Sequence, residues 1–126
     1  MLSKNNRLKE KYEAMKIALP LAGGKLSLHF GHCENFALFD VDPTEKKIFH
    51  REDIASPPHE PGLLPGWLAE RGTSVVITGG MGQRAQQLFA QHGISVVIGA
   101  PADAPERIVG DYLAGRLQVG GNVCDH

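Results

Sequence analysis

The sequence predicts a single α/β domain with a mixed sheet of five strands covered by about three helices. Its 126 residues suit one domain, and a hydrophobic content of 42% is ordinary for a chain that buries a core. The first half contains three short strand-like segments, whereas apolar strands alternate with helical patterns in the second half. That second pattern requires parallel strands joined by right-handed crossovers.

The first half predicts three strands, at residues 17–20, 35–41 and 46–52. Aromatic and β-branched residues favour the second strand, and the turn chemistry of residues 42–45 pairs it with the third as a hairpin. Residues 21–32 hold three glycines and two histidines, so they predict a polar loop outside the core.

The second half predicts helices that begin near Leu63, Gly82 and Asp103, with Asp103 as N-cap and Pro105 in the first turn. The stretch 75–77 is apolar throughout and 94–98 is apolar except at Ser95, which is the pattern of strands buried on both faces. Glycines mark the predicted ends of the helices, at Gly72, Gly93 and Gly115. The chain thus divides into a polar N-terminal extension (1–14), an α/β domain (15–116) and a C-terminal tail (117–126).

Charge and hydropathy exclude several functions. The formal net charge is −1, and residues 15–126 carry nine basic and twelve acidic side chains, which argues against nucleic acid as a partner. No stretch is apolar enough for a signal-peptide core or a membrane span, so a cytoplasmic protein is expected. There, Cys33 and Cys124 are expected to be thiols or metal ligands, with a disulfide as the less favoured alternative.

Histidines accompany both cysteines, which suggests a metal site. Neither cysteine belongs to a C-x-x-C pair, so the fold would have to assemble the ligands from distant loops. Thiolates with imidazoles suit an iron-sulfur cluster, zinc or copper(I). The alternatives are that Cys33 is a small buried hydrophobe and that the last residues are a frayed end. The set comprises His29, His32, Cys33, His59, Cys124 and His126.

The segment 56–62, which contains three prolines, predicts a stiff loop that presents His59 and Glu60. The run 78–84 places glycines between a buried strand and a helix, where backbone amides and Arg84 could contact an anion. It matches neither the dinucleotide fingerprint nor the P-loop, and a tight strand-to-helix turn is the alternative. Asp40 and Asp42 are interpreted as solvated turn residues rather than as a two-metal site.

Four ordered motifs, HFGHCENFALFDVD, PPHEPGLLPGWLAERG, VVITGGMGQRAQQLFAQHGI and GGNVCDH, resemble the dinitrogenase iron-molybdenum cofactor biosynthesis family, which includes NifX-type carriers and small stand-alone members. The resemblance covers residues 15–126. It implies a ribonuclease-H-like fold and a non-enzymatic protein that binds an iron-containing cluster or its precursor and hands it on. It further implies metal ligands at His32, Cys33, His59, Cys124 and His126, with Gly79, Gly80, Met81 and Gly82 as the floor of the site.

These observations lead to one preferred hypothesis, a carrier or assembly factor for an iron-sulfur or iron-molybdenum type cluster. His29 and Arg84 are further candidate contacts to the cluster. Donor and acceptor proteins are the expected partners, and a partner ATPase is an alternative. Two thiols per chain are few for a four-iron cluster, so a homodimer that shares one site is also considered. The rival functions are an interaction module with a structural zinc ion and a small thiol- or phosphate-dependent hydrolase.

Overall fold

The computed structural model describes residues 15–58, 60 and 62–122; the predicted N-terminal extension and the last four residues lie outside this range. The strands are β1 (Met15–Ala22), β2 (Lys25–Leu26), β3 (Asn35–Asp42), β4 (Lys47–Ala55), β5 (Val75–Thr78) and β6 (Ser95–Ile98). The helices are a 3-10 turn (Phe30–His32), α1 (Leu63–Glu70), α2 (Gln83–Gln91) and α3 (Pro105–Leu113). No helix in these ranges is long and apolar enough to cross a membrane.

The sheet is mixed, and its main order is β4-β3-β1-β5-β6. The central strand β1 runs antiparallel to β3 and parallel to β5, and β6 continues the parallel half. This topology confirms the predicted ribonuclease-H-like α/β domain with five main strands and three α-helices. The two-residue strand β2 is an addition to the prediction, because the chain turns back on β1 through Gly23 and Gly24 at φ of +61° and +80°.

The sheet separates two hydrophobic cores, because successive residues of each strand point to opposite faces. Ile17 and Leu19 of β1 face α3, where they join Ile108 in one core. Ala18 faces the other side and packs with Phe89 of α2 and other buried side chains. Burial on both faces explains why β1 and β5 are apolar at nearly every position.

The predicted glycine stops are confirmed, since Gly72, Gly93 and Gly115 follow the three helices with φ between +72° and +81°. The predicted N-cap at Asp103 is wrong. Ala104 occupies that position in an extended conformation, and the Asp103 carboxylate accepts a hydrogen bond from the Ala104 amide at 2.7 Å.

The prediction that residues 21–32 form a polar loop outside the core is also wrong in part, because this segment supplies residues to the core. β1 continues to Ala22, and Leu26 and Phe30 are buried at 2% and 5% exposure. The Phe30 ring lies 5.3 Å from that of Phe89, edge to face, and 5.8 Å from that of Phe36. This aromatic cluster holds the loop that follows β2 against the domain.

Candidate functional site

A cavity of about 580 Å³ opens at the end of the sheet where β1 and β5 both finish. Three loops enclose it together with the start of α2: the first loop (residues 27–34), the proline loop (residues 56–62) and the glycine loop (residues 79–82). Parallel strands bring the loops after their carboxyl ends together, which is where open α/β sheets bind ligands. Its lining includes His29, Cys33, Ser56, Glu60, Met81 and Arg84.

Backbone hydrogen bonds join the first loop to both of its neighbours. The Phe30 amide donates to the Gly80 carbonyl at 3.0 Å, which connects it to the glycine loop. The Ser56 amide donates to the Glu34 carbonyl at 3.1 Å, which connects it to the proline loop. The walls of the cavity are therefore set by main-chain contacts and not by side chains alone.

Cys33 directly follows the 3-10 turn and presents its thiol to the cavity. The side chain is partly buried, and its Sγ lies 3.1 Å from the Ser56 Oγ. Burial raises the pKa of the Cys33 thiol, and the hydrogen bond with Ser56 opposes this effect to a smaller extent. The thiol is consequently protonated at neutral pH, and a metal that binds it must displace the proton.

His29 stands at the cavity wall on a turn that Ser27 stabilises. The Ser27 hydroxyl donates to the His29 carbonyl at 2.9 Å, and the His29 amide donates to the Ser27 Oγ at 3.3 Å. Ser27 itself is buried, so this small network orients the backbone from which the imidazole projects.

The other predicted metal ligands are not tested by the described residues. His32 closes the 3-10 turn, but its side chain is outside the description. His59, Cys124 and His126 also lie outside the described residues. Within residues 15–58, 60 and 62–122, no group of three or more His, Cys, Asp or Glu side chains is arranged to hold a metal ion. The predicted five-residue ligand set therefore stays a prediction.

The glycine loop has two parts: Gly79 and Gly80 pack against the first loop, and Met81 and Gly82 face the cavity. A Cβ on Gly79 would lie 2.8 Å from the Leu28 Cα, so only glycine permits the first loop to approach this closely. The Gly79 amide contacts the Ser27 carbonyl at 3.4 Å, and Gly80 is buried beside it. Met81 and Gly82 face the cavity, and Arg84 is exposed at its rim.

Two polar residues at this site were missed from the sequence. Ser56 bonds the Cys33 thiol, and Asn122 pairs with the backbone of Met81 across 41 positions. Asn122 accepts from the Met81 amide, which is one of the backbone amides in the run 78–84 for which the sequence predicts contact with an anion. The sequence did contain a signal for Asn122, since it follows two glycines and precedes Cys124 by two residues.

The size and chemistry of the cavity suit a ligand larger than a single ion. The volume of about 580 Å³ is far larger than the space that one ion or one water molecule needs. A thiol, an imidazole and the Met81 side chain, which is nearly fully buried, supply soft and apolar contacts. Glu60 and Arg84 add charges of both signs at the rim.

The chain is similar to known proteins over most of its length. Residues 13–115 match the sequence model of the family described as "Dinitrogenase iron-molybdenum cofactor". Uncharacterized protein MJ0580 of Methanocaldococcus jannaschii is 32% identical over 113 residues, which cover 86% of this chain and 93% of the relative.

Solved structures share the fold. The crystal structure of PH0822 has a TM-score of 0.79 at 27% identity, over 89% of this chain and all of that one. The candidate dinitrogenase MJ0327 of M. jannaschii has a TM-score of 0.68 at 17% identity, over 86% of this chain and 96% of its own.

Proposed function

Because the chain belongs to the dinitrogenase iron-molybdenum cofactor family, we propose that it binds an iron-sulfur or iron-molybdenum type cluster, or a precursor of one, and hands this cargo on. The family membership supports a role in iron-molybdenum cofactor binding or biosynthesis. The observation that carries the proposal is the cavity, which presents the Cys33 thiol and His29 in a space large enough for a multinuclear cargo.

The donor atoms present in the cavity fit such a cargo. Iron clusters are held by thiolates, with imidazole as an occasional replacement. We assign the first contacts to Cys33 and His29, and the remaining ones to the predicted ligands His32, His59, Cys124 and His126. The main chain of Met81 and Gly82 would form the nearby surface, and Arg84 would face the charge of the cargo from the rim.

The protonated state of the Cys33 thiol favours a carrier over an enzyme that uses a cysteine nucleophile. A raised pKa means that protons compete more strongly with a metal for the Cys33 sulfur at neutral pH, which favours reversible binding. A nucleophilic cysteine requires the opposite, a lowered pKa and an adjacent base. The side chain that bonds the Cys33 thiol within the described residues is that of Ser56, whose hydroxyl is not a base at neutral pH.

Anaerobic reconstitution with ferrous iron and sulfide tests the proposal. We expect the wild-type protein to acquire visible charge-transfer absorption and protein-bound iron, and Cys33→Ala to lose at least about nine-tenths of both. His50→Ala serves as the matched control for His29→Ala, because His50 lies on β4 and is exposed. His50→Ala should load like the wild type, whereas His29→Ala should load less.

Two results would contradict the carrier. One is the absence of bound iron in protein purified without oxygen, and the other is an unchanged spectrum in a Cys33→Ala/Cys124→Ala double variant. A stoichiometric zinc ion whose removal by a chelator lowers the melting temperature would favour the structural-zinc alternative instead.

A further inference from the structure

We propose that strand β4 is the interface of a symmetric dimer, in which it pairs antiparallel with β4 of a second copy of this chain around a two-fold axis at His50. This interface lies at the outer edge of the sheet. It does not depend on what the cavity binds.

Strand β4 is the long edge of the sheet. It ends the order β4-β3-β1-β5-β6, so among the described residues β3 is the strand that pairs with it. Over its nine residues, the amides and carbonyls that point away from β3 therefore face no other strand in the described ranges. Such a row of main-chain groups is a template for a further strand. The opposite edge, β6, has only four residues and offers a shorter template.

The same edge exposes apolar side chains. Phe49 is 57% exposed and the adjacent Ile48 is 38% exposed. Phe49 is the most exposed large hydrophobic side chain in the part of the chain that the structure describes. A strand added at this edge would remove part of this apolar surface from water, which favours association.

A β-bulge makes the charges of β4 symmetric about one residue. Lys47, His50 and Glu52 lie opposite positions 42, 40 and 38 of β3, because the register shifts after His50 and leaves Phe49 as an extra residue. Lys47 and Glu52 are therefore equally far from His50, two strand positions to either side. All three side chains point to the same face of the sheet, since alternate positions share a face.

Antiparallel pairing around His50 consequently matches opposite charges. In a two-fold dimer centred there, Lys47 of each copy lies directly opposite Glu52 of the other, which gives two favourable cross-strand pairs. Both side chains are exposed in the single chain. Arg51 and Asp53, the other charged residues of β4, already pair with each other at 2.7 Å within the chain. A parallel pairing in register would instead place like charges side by side, so charge favours a second copy in the antiparallel direction.

Sedimentation velocity of the full chain, from micromolar to millimolar concentration, tests the dimer. We expect the wild type to reach twice the mass of one chain. Lys47→Glu and Glu52→Lys should each raise the dissociation constant by at least about tenfold, because each change makes both cross-strand pairs repulsive. Lys25→Glu is the matched control, since Lys25 is an exposed lysine on β2, and it should dimerise like the wild type.

The double variant Lys47→Glu/Glu52→Lys should restore the dissociation constant of the wild type. The two residues are four strand positions apart within one chain, which is roughly 13 Å. A pair within a single chain therefore cannot account for the rescue, whereas the exchanged pairs between two copies can.

A disulfide at the axis tests the register without any change of charge pairs. In His50→Cys on a Cys33→Ala/Cys124→Ala background, the two new thiols face each other across the axis. Directly opposed residues of antiparallel strands have Cα atoms roughly 4.5–5.5 Å apart, which suits a disulfide. Mild oxidation should therefore give a covalent dimer. Ile54→Cys on the same background is the control, because Ile54 lies four strand positions from the axis and should stay uncrosslinked.

Three results would overturn the proposal. A wild type that sediments as a monomer over the whole concentration range would exclude the dimer. A dimer that both single charge reversals leave unchanged would have its interface on another surface. Failure of the double variant to restore association, together with no crosslink in His50→Cys, would exclude the two-fold axis at His50.

Discussion

At the scale of single residues, the environment of Cys33 decides its chemistry. Partial burial favours the neutral thiol, and the Ser56 hydroxyl offers a hydrogen bond that favours the thiolate to a lesser degree. The sequence indicated Cys33 as a ligand or a buried hydrophobe, and the structure shows a partly buried side chain at a cavity wall, while its role as a ligand stays a prediction. Ser56 could not be predicted, because it is 23 positions away and reaches the thiol only through the fold.

The alkylation rate of Cys33 should reach half its maximum above pH 8.5, the ordinary value for a free cysteine. The reason is the raised pKa, since only the thiolate reacts. The measurement uses iodoacetamide on a Cys124→Ala background, in which Cys33 is the single thiol. Ser56→Ala should move the midpoint higher still, because it removes the hydrogen bond that lowers the pKa. A midpoint below 8.5 in the metal-free protein would contradict the assignment.

The raised pKa of Cys33 also predicts how the stability of the protein depends on pH. Above the ordinary cysteine pKa the unfolded chain loses the Cys33 proton while the folded chain retains it, so the free energy of unfolding should fall as pH rises through this window. Urea unfolding at pH 7.5 and pH 10 measures the effect. In Cys33→Ser, which has no thiol at this position, the fall should be smaller than in the wild type; an equal fall would show that Cys33 does not contribute.

At the scale of elements, local sequence patterns were sufficient to predict most of the strands and helices. The apolar periodicity of β1, β3 and β5 and the glycines after the helices depend on neighbours in sequence, and these predictions agree with the structure. Strand β2 was missed because two residues give no periodicity. The burial of Phe30 was missed because its partner Phe89 is 59 positions away.

Two substitutions of glycine by alanine should have opposite effects on the stability of the domain. Gly99→Ala introduces a Cβ into a residue at φ of +92° and against the Gly120 backbone, so it should destabilise the domain by about 2 kcal/mol. Gly110→Ala lies in α3, where an added Cβ meets no atom within 4 Å, so better helix propensity should stabilise by roughly 0.5–1 kcal/mol. Thermal melting measures both. A stabilised Gly99→Ala would contradict the close approach of the tail.

At the scale of the whole molecule, the site is a product of topology. The sequence indicated the first loop, the proline loop and the glycine loop one by one, and the order of strands β1 and β5 brings them to one cavity. Their distances could not be predicted, because they depend on the parallel pairing of strands that are some fifty residues apart. The pairing of Asn122 with Met81 is a contact of the same long-range kind.

Removal of residues 123–126 should separate folding from cargo binding. The truncated protein keeps Asn122 and all described core residues, so its melting temperature should stay within about 3 °C of the wild type. If the predicted ligands Cys124 and His126 bind the cargo, the iron content after reconstitution should fall at least about tenfold. Full loading of the truncated chain, measured as iron per polypeptide, would remove both residues from the ligand set.

The positions of Met15 and Asn122, the first and last described residues, have a practical consequence for protein production. β1 enters the sheet at Met15, beside Val41, and it reaches the cavity only at its far end. Asn122 by contrast rests on the cavity floor. A polyhistidine affinity tag on the C-terminal side would follow Asn122 closely in sequence, and its imidazoles could compete for metal and confound any elemental analysis. A tag on the N-terminal side enters the described domain at Met15, the end of β1 away from the cavity, and is the suitable choice for such preparations.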